Sequence, residues 1–317
     1  MSLVLSLALY ASSAVCIGGL AWRVWIWAGT PEPFRIPTTT GQQPSVAGIA
    51  ASRVESPSTR IGVVGRLALE GLLFRSLFRN TAFAPPPQGS PGQASPIFRE
   101  RKALWLGAMA LHWSLLVIIV RHLRLFVEPV PVLVSALTAA DGFFDIGLPR
   151  WYATDAIVIG ALAYLLARRL RDPLLRYVTL PADYLALGLL SAIAGSGLVL
   201  RYLVRTDVVA ARHWALSLAA GHAAAPLPDS SVWIVLHVAS VACLLAVLPF
   251  SKMVHGLGVW LSPTRNQAND SRRRRHVNPW NAPVPVHTHA AWQDEFRDKL
   301  TIAGIPLEEP PGPSGRA

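Results

Sequence analysis

The sequence predicts an all-α integral membrane protein with five transmembrane helices, an amphipathic inside helix and a flexible C-terminal tail. Three observations predict it. The 317 residues are 52% hydrophobic and only 15% charged, where soluble domains carry about 25% charged residues. Apolar runs recur along the chain, each long enough to cross a hydrocarbon core about 30 Å thick. The basic residues give a formal net charge of +11, and they lie mostly between the apolar runs. That distribution points to membrane topology and away from nucleic acid. Eleven Trp suit interfacial belts. The two Cys, Cys16 and Cys243, both sit in apolar runs, so no disulfide framework and no thiolate metal or iron–sulfur site is expected. Any iron–sulfur chemistry belongs to a partner.

Residues 1–28 hold the first span. It has no basic leading region and no convincing cleavage site, so it reads as an uncleaved span and not a removed signal peptide. Trp22, Arg23, Trp25 and Trp27 mark its inner end. Residues 29–102 form a cytoplasmic linker, rich in Pro, Ser and Gly at 31–58 and 85–96. Between those stretches, residues 61–80 place Arg66 and Glu70, then Arg75 and Arg79, at i,i+4 spacing among apolar residues. That is an amphipathic helix, too charged to span, lying on the membrane or on a partner.

Residues 103–260 carry a four-helix membrane domain, with spans at 103–126, 151–170, 180–203 and 231–260. Gly188, Gly195 and Gly197 in the fourth span allow close helix packing. Residues 261–317 are a basic, Pro-rich, polar cytoplasmic tail. Five spans put the termini on opposite sides. Nine Lys/Arg lie in 29–102, four in 168–176 and a run at Arg272–Arg275, against Arg150, Arg205 and Arg212 in the intervening loops. The positive-inside rule then sets the N-terminus outside and the C-terminus inside, in a bacterial inner (cytoplasmic) membrane.

Histidines inside spans require an explanation, because an ionisable side chain in hydrocarbon is costly. Of nine His, the second span holds His112 and His122 and the fifth holds His237 and His255. These spans run antiparallel, so His112 and His255 share the inner side, and His122 and His237 the outer. Two facing imidazole pairs are what two bis-histidine haems b require. The rises, about 15 Å and about 27 Å, do not match; helix tilt and the size of the macrocycle could absorb the difference. The competing readings are packed, hydrogen-bonded His, or a proton relay. A relay calls for carboxylates between the His, and Asp155 and Asp183 lie near span ends.

The spacing H-x9-H in the second span and H-x17-H in the fifth, with PFSKMVH at 249–255, resembles the NarI-like cytochrome b (gamma) subunit of respiratory nitrate reductase. The similarity is closer to DsrM of the dissimilatory sulfite reductase-associated (DsrMKJOP) complex. It is carried by LHWSLLVIIVRHLRLFVEPVP at 111–131, DGFFDIGLPRWYATD at 141–155, LLARRL at 165–170, PFSKMVHG, and the long inside segment with ALEGLLFRSLFRN. It covers roughly residues 61–260. The resemblance implies two haems b, with His112 and His255 holding the inner iron and His122 and His237 the outer. It implies exchange of electrons with menaquinone or ubiquinone at an outer site, and a cytoplasmic DsrK-like iron–sulfur partner related to heterodisulfide reductase and serving a DsrC-like sulfur carrier. The chain would then be the quinone-reactive subunit of an oxidoreductase complex in sulfur metabolism and not a stand-alone enzyme. The alternatives are a nitrate reductase cytochrome subunit and a haem-free membrane anchor. A proton-coupled transporter would need internal repeats and broken helices.

Arg121, beside His122, is expected to serve a haem propionate or a quinone carbonyl. Arg124, Arg201, Arg205 and Lys252 have the same option, with snorkelling to the interface as the rival. Asp141, Asp145, Asp155 and Arg150 read as solvated loop charge or as proton exchangers at an outer quinone site. His213 and His222 in the outer loop, and His287 and His289 in the tail, are expected not to be ligands. The segment 278–287, with Trp280, is a candidate dock for the cytoplasmic partner.

Overall fold

The computed structural model describes residues 2–30, 52–84, 97–142, 149–228, 231–269 and 287–307. These fall into two compact units, one holding residues 2–30 and 52–269, the other 287–307. Asp145, the Arg272–Arg275 run and Trp280 lie outside the described residues.

The first unit opens with α1 (Ser2–Gly29). Helix α2 (Arg60–Leu73) starts where the Thr59 side chain accepts the Gly62 N–H, satisfying one of the orphan donors of a first turn. It ends at Phe74, which is left-handed at φ 49°, ψ 48°, and α3 (Arg75–Phe78) follows at once. Strands β1 (Thr81–Ala84) and β2 (Ile97–Glu100) pair antiparallel, Thr81 opposite Glu100. Helix α4 (Lys102–His122) leads to α5 (Val132–Asp141) and α6 (Ala153–Arg171). Helix α7 (Pro173–Val178) is capped by Asp172, and α8 (Pro181–Val199) widens into a π-helical turn at Leu200–Val204. After α9 (Val208–Ala219) and α10 (Val232–Val247) come the short helices α11 (His255–Leu261) and α12 (Pro263–Asn266). The second unit holds α13 (His289–Glu295) and α14 (Arg297–Ile302).

Four helical stretches among the described residues are long and apolar enough to cross a membrane: Ser2–Gly29, Lys102–Leu125, Pro181–Val204 and Val232–Phe250. The expected span at 151–170 differs. Its helix, α6, has Asp155 in the first turn and Arg168, Arg169 and Arg171 in the last. The uncharged part, 156–167, rises only about 18 Å. Yet α6 packs as a bundle member. Leu111 of α4 and Val158, Ala161 and Leu162 of α6 form one buried core, to which α8 adds Leu187, Leu190 and Ala194. Gly107 lets Tyr164 approach, since a Cβ there would stand 2.5 Å from its ring. A second core joins α1, the α8 turn and α10 through Leu5, Leu200, Ile234 and Val238. Helix α8 is therefore the link between two helix pairs.

The fifth span is also not one continuous helix. α10 ends at Val247, a 3-10 turn covers Leu248–Phe250, and Ser251 is extended before α11 begins at His255. Pro249 explains the break: it has no N–H to donate and its ring crowds the preceding turn. Helix α1 packs onto the break at Gly19, where a Cβ would lie 2.6 Å from Pro249, and the Pro249 carbonyl accepts from Arg23 Nε at 3.0 Å. The 18-residue rise expected between His237 and His255 thus belongs to a broken path and not to one rod.

Candidate cofactor site

The pair expected on the inner side, the inner pair, is built where α4 meets α11. His112 and His255 have ring centroids 5.9 Å apart and ring planes at 82°. His112 Nδ1 lies 2.8 Å from the Ala108 carbonyl, and His255 Nδ1 lies 2.9 Å from that of Lys252. A carbonyl only accepts, so each Nδ1 carries a proton, and in the neutral ring Nε2 keeps its lone pair. The second pair follows the same rule. His122 Nδ1 donates to the Ile118 carbonyl at 2.7 Å, and His237 Nδ1 to the Ile193 carbonyl at 3.1 Å, with Ser196 Oγ also at 3.1 Å. Gly197 makes room for the His237 ring, because a Cβ there would meet Cε1 at 3.3 Å. Gly188 and Gly195 face open space instead, so of the three glycines expected to pack helices, Gly197 alone touches a neighbour.

Four imidazoles with Nδ1 tied to backbone and Nε2 free suit axial ligation, since the bond at one ring nitrogen fixes the orientation and raises the basicity of the other. Two nitrogens about 2 Å from one metal on opposite sides place ring centres roughly 6 Å apart, which the inner pair matches. Among the described residues no three His, Cys, Asp or Glu converge to cage a bare metal ion, whereas a haem asks the protein for two axial side chains. The residues therefore fit haem b.

Beside the outer pair lies a buried polar network. Arg121 bridges Asp141 and Asp155, the latter at 3.0 Å, and stacks over Tyr152 at 3.8 Å. Asp141 also accepts the Thr154 N–H at 2.9 Å and its hydroxyl at 2.6 Å. Tyr202, carried by the π-helical turn, donates to Asp155 at 2.8 Å and accepts the Tyr152 N–H at 3.2 Å. Arg201 stacks over the same Tyr152 ring at 4.1 Å and donates to the Arg150 carbonyl. Asp141 and Asp155 are thus not solvated loop charges; both carboxylates are largely buried partners of Arg121. The guanidinium expected to reach a propionate or quinone spends both terminal nitrogens on this brace.

Lys252 likewise points to protein, with Nζ 2.8 Å from Asp183 Oδ2. Arg124 donates to Thr138 Oγ1 at 3.0 Å. His213 is exposed on α9, and His222 is exposed beyond its end. In the second unit, His287 lies 3.6 Å from Glu295, and His289 stands against Trp292.

A family profile for the nitrate reductase gamma subunit matches residues 89–269. The chain belongs to that family. It is therefore a multi-pass membrane cytochrome b of the NarI-like kind. It is 36% identical over 304 residues to an "Hdr-like menaquinol oxidoreductase cytochrome b-like subunit" of Archaeoglobus profundus, covering 93% of this chain and 86% of that protein. It is 38% identical over 284 residues to a protein of the same description from Archaeoglobus fulgidus, covering 87% and 83%. The matched region contains all four histidines, and it begins after α2 and α3. Phe74, Ser196 and the Tyr152–Tyr202 pair are site neighbours that sequence spacing does not reveal.

Proposed function

We propose that the chain is the haem b subunit that exchanges electrons between menaquinol and a cytoplasmic, heterodisulfide reductase-like iron–sulfur subunit. The observation that carries this reading is the four-histidine set, each ring with Nδ1 on a backbone carbonyl and Nε2 free. In it His112 and His255 hold the inner haem, and His122 and His237 the outer. A haem b supplies a one-electron carrier at each level, which converts a two-electron quinol into single-electron steps. The protein's own part is to orient four rings through their Nδ1 bonds and to brace the outer end through Arg121.

The relatives' descriptions support menaquinol as the quinone and an Hdr-like partner. The proposal extends, on the resemblance of residues 61–260 to DsrM, to a DsrK-like partner, a DsrC-like carrier and dissimilatory sulfur metabolism. Five crossings, with α6 as the third, an outside N-terminus and an inside C-terminus complete it. The family description itself favours a second reading, a nitrate reductase gamma subunit, and the subunits that co-purify separate the two.

The test is the reduced-minus-oxidised spectrum of the purified protein, with haem content per chain. Two haems b are expected, falling to one in each of H112A, H122A, H237A and H255A. Absence of a b-type α-band sinks the reading. An H122A protein that keeps both haems breaks the outer pairing.

A further inference from the structure

The elbow between α2 and α3 is held far more firmly than a linker joint needs. At its apex Phe74 takes φ 49°, ψ 48°, a conformation that glycine adopts freely and a bulky residue does not. The last carbonyls of α2, which a helix end leaves without partners, are claimed by α4. Trp113 Nε1 donates to Leu72 at 3.1 Å, and Trp105 Nε1 to Leu73 at 2.8 Å. The Phe74 N–H closes back on Leu69. On the far side, Glu70 accepts the Ser76 N–H at 3.0 Å and its hydroxyl, while Arg75 and Arg79 both pair with Glu55. A glycine would make this turn without strain, so what the position gains from Phe is its ring. That ring stands edge-on to His112, centroids 5.0 Å apart at 82°.

We propose that Phe74 is a positioning residue for His112, fixing the plane of that imidazole relative to His255. The proposal rests on the haem reading above. The Nδ1 bond to Ala108 anchors one atom of the His112 ring and leaves the ring free to rock about it; Phe74 closes that freedom from the side. The angle between two axial imidazole planes sets the splitting of the iron d orbitals in a low-spin ferric haem. Near-perpendicular planes, as the 82° here, give a strongly anisotropic signal with a large g value, and parallel planes a rhombic one. The elbow thus ties an electronic property of the inner site to a segment outside the spans, which also carries the ion pairs of Glu55.

The test uses the full-length protein purified with its partners, comparing F74G, F74L and F74Y with the parent by electron paramagnetic resonance and by redox titration. F74G keeps the turn and removes the ring, and F74Y keeps both the ring and its contact. F74G and F74L are expected to lower the largest g value of one haem signal and to shift that haem's midpoint potential. The other haem and the haem content should not change, and F74Y should match the parent. Parent-like spectra in F74G and F74L overturn the proposal, as does an equal change in both haems or loss of a haem in F74G. A parent without any b-type signal overturns the haem reading instead, so the two failures are distinguishable.

Discussion

The inner and outer ends of the bundle hold their histidines by different means. At the inner end, His112 and His255 bond to carbonyls of their own local turns, Ala108 and Lys252, and both rings are exposed. Their neighbour Phe74 comes from outside the spans. At the outer end, His237 crosses to α8 for its carbonyl and lies against Gly197. The helix end that carries His122 is braced by Arg121 between two buried carboxylates. The inner end is assembled from three segments, α4, α11 and the α2–α3 elbow, joined by hydrogen bonds and ring contacts; the outer end is locked by charges that cannot be separated cheaply. On the proposed function, the inner end is the one that would face the iron–sulfur partner, and among the described residues it is the one held without buried ion pairs.

The largest expected difference between the ends follows from removing one cation at each. R121A leaves Asp141 and Asp155 without their shared partner in a buried setting, and breaking such a pair costs about 3–5 kcal/mol. R121K keeps the charge but cannot fork to both carboxylates, so it should fall between the two. At the inner end, Lys252 is 71% exposed in its pair with Asp183, and K252A should cost about 1 kcal/mol or less. Thermal unfolding in detergent measures both. Equal losses would erase the contrast.

A smaller and more local effect is expected at the glycines of α8. G197V sets branched carbon where even a Cβ meets His237 at 3.3 Å, so the ring must leave its Ile193 bond or α10 must move. The outer haem alone should be lost or shifted, as read by haem content and redox titration. G188V and G195V, on the opposite face of α8 and in open space, should leave both haems in place. A G197V protein with two parent-like haems would show that α8 does not shape the outer site.

The apolar runs and the four histidines were legible because both are properties of spacing. Pro249 is legible too, although the apolar run continues to 260; a proline inside an apolar stretch is the signal that the helix breaks. The charges at both ends of α6 were visible, but their consequence was not, because Asp155 is neutralised by Arg121, a residue 34 positions earlier. The same holds for Asp141, which looked like loop charge until α5 folded it against α4. Pairings of this kind depend on tertiary geometry and leave no periodic trace. The amphipathic pattern of the α2 segment does not reveal that its buried face carries charge beside Val63. Arg66 and Glu70 face the protein, and Ile61 and Val64 face outward, because Glu70 is needed to cap α3 and hold the elbow.

The smallest expected effect concerns that elbow and acid. Burial opposes ionisation of Glu55, but Arg75 and Arg79 outweigh it and hold its carboxyl below the ordinary 4.5. A carboxyl lowered on folding contributes stability above its unfolded value and loses it as pH falls through the folded value. The elbow should therefore loosen only below about pH 4.5, the ordinary carboxyl range. Arg79 is more than half exposed, so solvent screens its share, and the whole effect should stay near 1 kcal/mol or less. Hydrogen exchange of residues 60–79 between pH 7 and about pH 3 measures it, with E55Q expected to exchange faster at pH 7 and to lose the added pH dependence. Because Phe74 sits at the apex of the same elbow, acid or E55Q should also disturb the inner ferric signal before the outer one. If the outer signal moves first, the elbow does not act on the inner end.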